Sequence, residues 1–262
     1  MQKLGQHFLK NSSALRRIAQ SLELEKNDEV IEIGPGHGEL SNHILEIAPE
    51  GVHLTVIEKD RLLAAKLYDT LAEKNVDIVN GDALHELAPL IAKLVSSNKR
   101  FKLVGNIPYY ITGHLLRTIG ELTPRPDRSV LLIQKEVALR IAAKPPDMNR
   151  LAASVQFWAE PRVVMTISRR DFSPSPKVDS AVILLQAKAS TPSPHDQKAY
   201  DQALKALFAQ PRKTILNNLQ HSLQSREKAE GIFRALAISP NARPQDLSVE
   251  QIFAIGKMLT SD

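Results

Sequence analysis

Val30-Ile31-Glu32-Ile33-Gly34-Pro35-Gly36-His37-Gly38 joins a short apolar run to three closely spaced glycines. The apolar run is typical of a buried strand. Glycines allow a tight turn after that strand, and they let a ligand approach the backbone closely. The stretch therefore predicts the first strand and ligand-binding turn of an α/β sheet.

The glycine spacing departs from the dinucleotide fingerprint G-x-G-x-x-G, in which the turn carries a pyrophosphate. Here the third glycine comes one residue early, and Glu39 stands in its place. Glu39 and Glu32 would both repel a pyrophosphate. The acidic surroundings of Gly34 and Gly36 favour S-adenosylmethionine, whose amino-acid end carries an ammonium. Alone, the glycine stretch also fits an ordinary turn.

Strand and helix patterns alternate along residues 30–143, which predicts a doubly wound, mostly parallel Rossmann-like sheet. The predicted strands are Val30–Ile33, Val52–Ile57, Val76–Val79, Phe101–Val104 and Ser129–Ile133. The predicted helices are 39–48, 60–73, 85–95, 112–121 and 135–143. Two later apolar runs, Val163–Ile167 and Ala181–Leu185, have no long helix between them. They predict an antiparallel pair at one edge of the sheet.

A polar Pro/Ser stretch, Ala189–Pro194, ends this alternation and predicts a linker. Four helical patterns follow it: Tyr200–Phe208, Thr214–Leu223, Glu227–Leu236 and Val249–Leu259. The predicted domains are a methyltransferase domain over residues 1–188 and a small all-helical domain over 189–262.

Acidic side chains follow the second and third predicted strands. Glu58 lies 20 residues after Gly38, where a carboxylate can accept both ribose hydroxyls of a nucleoside. Asp82, in Gly81-Asp82-Ala83, can accept a hydrogen bond from an adenine amino group. Either carboxylate alone could be a surface group. Their common position at strand ends favours a binding site.

Asn106-Ile107-Pro108-Tyr109 follows the fourth predicted strand, at the sheet edge where open α/β sheets bind ligands. An adenine amino group is a poor nucleophile because its lone pair is delocalised into the ring. The Asn106 side-chain carbonyl and the Ile107 backbone carbonyl can accept its hydrogens and turn the lone pair outward. Pro108 stiffens the turn, and Tyr109 can stack on an extruded base. A capped turn is the alternative interpretation of an isolated Asn-x-Pro.

Composition limits the chemistry. The chain has 262 residues, no cysteine and a formal net charge of +5. A thiolate nucleophile is therefore excluded, while contact with a polyanion is permitted. No apolar run has membrane-spanning length, and the histidines show no metal-ligand spacing, so we expect no membrane association and no metal. A cytoplasmic monomer is the default expectation.

Together these motifs resemble the ribosomal RNA small-subunit adenine N6,N6-dimethyltransferase family along nearly the whole chain. The matching segments are Leu4-Gly5-Gln6-His7-Phe8-Leu9, Glu32 to Gly38, Glu58, Gly81-Asp82-Ala83, Asn106 to Tyr109, Gln134-Lys135-Glu136-Val137, Phe172 to Val182 and Gln210-Pro211-Arg212-Lys213-Thr214. His7 stands where many relatives have asparagine.

The resemblance implies a class I methyltransferase that uses S-adenosylmethionine to dimethylate two adjacent adenosines near the 3′ end of small-subunit rRNA. It implies cofactor contacts from His7, Leu9, Gly34, Glu58, Asp82 and Asn106. Glu32, Gly36 and Ala83, in the same motifs, are further candidate cofactor residues. It also implies that Phe172 faces the target base opposite Tyr109.

The implied partner is small-subunit rRNA within an immature ribosomal subunit. The basic pairs Arg169-Arg170 and Arg212-Lys213 are the candidate RNA contacts, although each could be an ordinary solvated charge. Three alternatives stay open: a large-subunit rRNA adenine dimethyltransferase that confers antibiotic resistance, a non-catalytic assembly or transcription factor, and a small-molecule N-methyltransferase.

Overall fold

The computed structural model describes residues 6–71, 74–96, 100–190 and 192–260. Parts of three predicted segments lie outside them: Leu4-Gly5 of the opening motif, the end of helix 60–73, and Thr191 of the linker. The chain forms two compact units. The first contains residues 1–138 and 160–187, and the second contains 139–159 and 188–262.

A seven-stranded sheet forms the centre of the first unit. Its strands are β2 (Glu29–Ile33), β3 (His53–Glu58), β4 (Val76–Asn80), β5 (Phe101–Asn106), β6 (Arg128–Gln134), β7 (Ala159–Ile167) and β9 (Ser180–Ala187). They lie in the order β4-β3-β2-β5-β6-β9-β7. Strands β2 to β6 run parallel, and β9 is antiparallel to β6. The predicted fold class, a mostly parallel sheet with an antiparallel edge, is confirmed.

The register of the sheet brings the predicted site segments together. Ile33, at the end of β2, pairs with Ile57 of β3 on one side and with Gly105 of β5 on the other. All five residues of β2 are buried, as expected for a central strand that is covered on both faces. The ends of three neighbouring strands therefore meet at one edge.

The helices of the first unit follow the strands closely. They are α1 (Ser12–Gln20), α2 (Glu39–Ile47), α3 (Arg61–Leu71), α4 (Ala83–Ser96) and α5 (Thr112–Glu121). A sixth helix, α6 (Lys135–Ala142), begins in the first unit and ends in the second. Helix α4 begins two residues before its predicted start, because the Asp82 carboxylate accepts the Leu84 N–H at 3.0 Å and caps it. Most other boundaries shift by one or two residues.

A second, two-stranded antiparallel sheet joins β1 (Phe8–Leu9) to β8 (Phe172–Ser173). The Lys10 N–H extends this ladder by donating to the Asp171 carbonyl at 2.8 Å. Segments that are far apart in sequence are thus tied together beside the main sheet.

The second unit is helical and includes a segment that the sequence placed in the first domain. Its helices are α7 (Arg150–Gln156), α8 (Pro194–Leu207), α9 (Ile215–Leu223), α10 (Arg226–Ala235) and α11 (Val249–Thr260). The Phe157 ring stacks on the Tyr200 ring at 3.8 Å, and the Tyr200 hydroxyl donates to the Ala153 carbonyl at 2.8 Å. The predicted domain 1–188 is therefore corrected: residues 139–159 pack with the C-terminal helices because their apolar side chains complete that core.

Candidate active site

An open cleft with an empty volume of about 820 Å³ lies at the strand ends of the first unit. It is lined by the glycine turn, the ends of β3 and β5, the start of α4 and the N-terminal segment. The lining includes Gln6, His7, Phe8, Ile33, Gly34, Gly36, Ile57, Glu58, Lys59, Gly81, Asp82, Ala83 and the whole of 106–111. Most of the predicted site residues thus line one cleft.

Two glycines of the turn adopt positive φ angles, which other residues rarely adopt. Gly34 and Gly36 have φ of +66° and +63°. A Cβ on Gly36 would lie 2.7 Å from the Phe8 ring, so the turn passes directly against that side chain. The absence of side chains leaves the backbone of the turn open to the cleft.

Glu58 ends β3 and faces the glycine turn. Its carboxylate accepts the Gly36 N–H at 3.1 Å and the Asp60 N–H at 2.8 Å. Burial raises the pKa of Glu58, while these backbone hydrogen bonds oppose the rise. Each carboxylate oxygen has further accepting capacity. The group is positioned to accept hydroxyl hydrogens from a ligand in the cleft.

The Asp82 carboxylate is held by Lys59, which was not among the predicted site residues. The Lys59 ammonium donates to the Asp82 carboxylate at 2.7 Å. Burial tends to raise the pKa of Asp82, but the hydrogen bonds from Lys59 and from the Leu84 N–H prevail and lower it. Asp82 therefore stays ionised as a hydrogen-bond acceptor at neutral pH.

The Asn106 amide has a defined orientation. Its Nδ2 donates to the His7 carbonyl at 2.7 Å, and its accepting atom, Oδ1, has no hydrogen-bond partner among the described residues. The Ile107 N–H donates to the Leu132 carbonyl at 3.0 Å, and no backbone hydrogen bond of the described residues ends on the Ile107 carbonyl. The turn therefore offers two carbonyl acceptors beside the cleft.

Tyr109 forms part of the cleft wall. Its hydroxyl is hydrogen-bonded to the Ser180 hydroxyl at 2.9 Å, and its ring centroid lies 6.1 Å from that of His7. Burial raises the pKa of Tyr109, so the phenol is neutral at physiological pH. A neutral ring held in this way provides a firm face for stacking.

The N-terminal segment is fastened beside the cleft. His7 Nδ1 donates to the Pro174 carbonyl at 2.8 Å, and the Lys10 ammonium pairs with Glu39 at 2.5 Å. His7 and Phe8 line the cleft. Leu9 instead lies in the hydrophobic core, 3% exposed.

Like Leu9, the predicted site residues Glu32 and Phe172 do not line the cleft. Glu32 is 1% exposed beneath the glycine turn, where its carboxylate accepts the Ser41 hydroxyl at 2.6 Å. Burial raises the pKa of Glu32 to about 8. Phe172 pairs with Leu9 and packs into the same core cluster, so its ring presents no face to the cleft in this arrangement.

The sequence matches the profile of the ribosomal RNA adenine dimethylase family over residues 1–261. The chain belongs to this family. A ribosomal RNA small subunit methyltransferase A from Latilactobacillus sakei is 36% identical, over 98% of this chain and 88% of that relative. The protein of the same name from Geobacillus thermodenitrificans is 38% identical, over 98% of this chain and 89% of the relative.

Solved structures share the fold of this adenine dimethylase. The 23S rRNA methyltransferase ErmE superposes with a TM-score of 0.73 at 26% identity, covering 96% of this chain and 99% of that one. A dimethyladenosine transferase from Plasmodium falciparum superposes with a TM-score of 0.79 at 24% identity, covering 95% of both chains. The predicted family and the Rossmann-like class I methyltransferase fold are confirmed.

The cleft of this adenine dimethylase fits S-adenosylmethionine, the methyl donor of class I methyltransferases. The open backbone at Gly34 and Gly36 suits a ligand that approaches the turn closely. Glu58 and Asp82 supply two accepting carboxylates at adjoining strand ends. These acceptors match the hydroxyls, amine and ammonium of that cofactor, which donate hydrogen bonds.

The four basic candidates of the dimethylase are all exposed. Arg169 and Arg170 lie on a short 3₁₀ helix of the first unit, and Arg212 and Lys213 lie before α9 in the second. Among the described residues, no set of three or more metal-ligating side chains could hold a metal ion. None of the helices in the described ranges is both long and apolar enough to span a membrane.

Lys59, Phe8 and Ser180 contribute to the cleft or to its walls but were not among the predicted site residues of the dimethylase. Lys59 directly follows Glu58, so its place at a strand end was a usable signal. Ser180 and Phe8 act through partners far away in sequence, and no spacing rule links Ser180 to Tyr109 or Phe8 to Gly36.

Proposed function

We propose that this protein transfers methyl groups from S-adenosylmethionine to N6 of two adjacent adenosines near the 3′ end of small-subunit rRNA, giving N6,N6-dimethyladenosines during ribosome biogenesis. The observation that carries the proposal is the Asn106 amide, whose Nδ2 is bound to the His7 carbonyl, so that its Oδ1 and the carbonyl of the next residue, Ile107, are available as acceptors in the cleft lining. Two acceptors at one strand end suit the two hydrogens of an exocyclic amine.

The proposed mechanism depends on orientation. S-adenosylmethionine supplies an electrophilic methyl group on a sulfonium. Asn106 Oδ1 and the Ile107 carbonyl accept the amine hydrogens and direct the nitrogen lone pair towards that methyl. Tyr109 stacks on the extruded adenine, and Pro108 keeps the turn stiff. No strong base would be required, because the nitrogen would become acidic as its bond to the methyl carbon forms and the carbon–sulfur bond of the donor breaks. Its proton would then pass to water.

The proposed cofactor contacts come mainly from cleft residues. Glu58 accepts the ribose hydroxyls, Asp82 and the adjoining Ala83 meet the adenine, and the turn at Gly34 and Gly36 meets the amino-acid end. His7 and Asn106 close the cleft from the other side. Leu9 and Glu32 support this site from behind, since both are buried next to the turn.

Phe172 keeps its proposed role as the second face on the target base only if its segment changes conformation. In the present arrangement its side chain belongs to the core. The catalytic set that the structure itself supports is therefore Asn106 to Tyr109.

Small-subunit rRNA is the better-supported substrate. The relatives that are 36% and 38% identical carry the small-subunit name, whereas the large-subunit enzyme ErmE is 26% identical. The complete Asn106 turn and glycine turn argue against a non-catalytic relative. We place the protein in the cytoplasm as a monomer acting on an immature subunit, with Arg169, Arg170, Arg212 and Lys213 contacting RNA.

The test is methylation of immature small subunits, large-subunit RNA and naked small-subunit RNA in parallel, followed by mapping of the modified adenosines. We expect dimethylation of two adjacent adenosines in the small subunit and none in large-subunit RNA. Methylation confined to large-subunit RNA would support the resistance alternative, and no methylation of any substrate would support the non-enzyme alternative.

A further inference from the structure

Tyr110 is an aromatic side chain of the cleft that the proposed mechanism does not use. It lines the cleft beside Tyr109 and is 59% exposed. No other described side chain makes a hydrogen bond or ring contact with it. Exposure of one aromatic residue is ordinary. Its position at the mouth of a ligand cleft is the feature that needs an explanation.

The backbone that carries Tyr110 is fixed. Tyr109–Ile111 form a 3₁₀ turn, in which the Ile111 N–H donates to the Pro108 carbonyl at 3.0 Å. The preceding side chain is anchored by the bond between Tyr109 and Ser180. A ring presented by a fixed backbone loses little conformational freedom when a ligand stacks on it.

The side chains near Tyr110 suit the binding of a nucleotide. Lys59 lines the same cleft as Tyr110, and its side chain is 52% exposed while its ammonium donates to the Asp82 carboxylate. An aromatic face beside an exposed cation is the arrangement that proteins use for single-stranded nucleic acid, with the base on the ring and the phosphate near the charge.

We propose that Tyr110 stacks on the nucleobase next to the target adenine and so holds the substrate RNA at the cleft mouth. Tyr109 is half-buried and lines the cleft together with Asn106, so it serves the extruded target base. Tyr110 is one residue further along and faces solvent, where the neighbouring nucleotide enters. The inference rests on the proposed function, because it names a substrate contact of the same cleft.

The experiment compares Tyr110→Ala, Tyr110→Phe and the matched control Tyr68→Ala with the wild-type protein. Tyr68 is also an exposed tyrosine, at 53%, but it lies on α3 outside the cleft lining, with its hydroxyl donating to the Ile78 carbonyl at 3.0 Å. For each protein, KM and kcat are measured on immature small subunits, S-adenosylmethionine affinity by calorimetry, and folding by thermal denaturation.

We expect Tyr110→Ala to raise KM for small subunits by about 5- to 150-fold, the range for loss of one base–aromatic stack. Tyr110→Phe retains the ring and should remain near wild type, as should Tyr68→Ala. Cofactor affinity should be unchanged in all four proteins.

A weakened cofactor affinity in Tyr110→Ala would show that the ring serves the cofactor instead, and would overturn the proposal. Unchanged KM would also overturn it, while leaving the proposed function intact if the wild type methylates small subunits. If the wild type does not methylate them, the proposed function fails and the Tyr110 assignment falls with it.

Discussion

Replacing Asn106 with alanine tests the acceptor pair most sharply. The substitution removes Oδ1, one of the two proposed acceptors, and leaves the Ile107 carbonyl in place. Loss of one oriented hydrogen bond to a reacting group typically costs a factor of about 10²–10³ in kcat, or roughly 3–4 kcal/mol of barrier. We therefore expect kcat to fall by at least about 100-fold.

The same substitution also removes the 2.7 Å bond from Nδ2 to the His7 carbonyl. Since His7 is only partly buried, water can replace this donor, and the stability loss should be about 1 kcal/mol. Thermal denaturation should thus show a folded protein. Cofactor affinity should fall far less than kcat, because Glu58 and Asp82 are untouched.

Asn80→Ala provides the matched control. Asn80 also ends a strand of the same sheet, and its Nδ2 donates to the Glu58 backbone carbonyl at 2.9 Å, but its side chain lies outside the cleft lining. Single-turnover methylation with labelled cofactor on small subunits should give near-normal rates for Asn80→Ala. A folded Asn106→Ala protein with a rate within threefold of wild type would refute the acceptor argument.

Four further outcomes are expected. Glu58→Ala should weaken S-adenosylmethionine binding at least tenfold by calorimetry, and unchanged affinity would remove Glu58 from the site. Gly36→Ala should lower the free energy of unfolding by about 1–2 kcal/mol and weaken cofactor binding, because φ is +63° and the new Cβ meets Phe8. An unchanged free energy of unfolding in a denaturant titration would contradict this. Glu32 has a pKa raised by burial from 4.5 to about 8, so its stabilising effect is complete below pH 4.5 and is lost as the pH rises to about 8. Between those pH values, the free energy of unfolding of Glu32→Gln should rise relative to that of the wild type, by up to about 5 kcal/mol at about 1.4 kcal/mol per pKa unit. A difference in free energy of unfolding that does not change with pH would argue against a buried neutral Glu32. Small-subunit affinity should fall steeply with salt, less steeply after Arg170→Ala, and a salt-independent affinity would exclude a phosphate-dominated interface.

The strand-end residues were predictable from sequence because parallel strands end at a common edge. Glu58, Asp82 and Asn106 each follow a recognisable apolar run, so their convergence follows from the alternation of strands and helices. The glycine turn was equally readable, since glycine is the residue that tolerates φ near +65°.

Contacts between distant segments were not predictable in this way. The Asn106 amide is oriented by His7, and Asp82 is held by Lys59. Residues 139–159 join the helical unit through the stack of Phe157 on Tyr200. Local sequence patterns predict whether a segment forms a helix, a strand or a turn, whereas contacts between distant segments depend on how those segments pack.

The measurement that tests the account most directly is nucleoside mass spectrometry of rRNA from immature small subunits incubated with the protein and S-adenosylmethionine. The account predicts N6,N6-dimethyladenosine at two adjacent positions near the 3′ end, and its loss with Asn106→Ala. Methylation at a ring nitrogen or a ribose hydroxyl, or an unmodified small-subunit RNA, would contradict it.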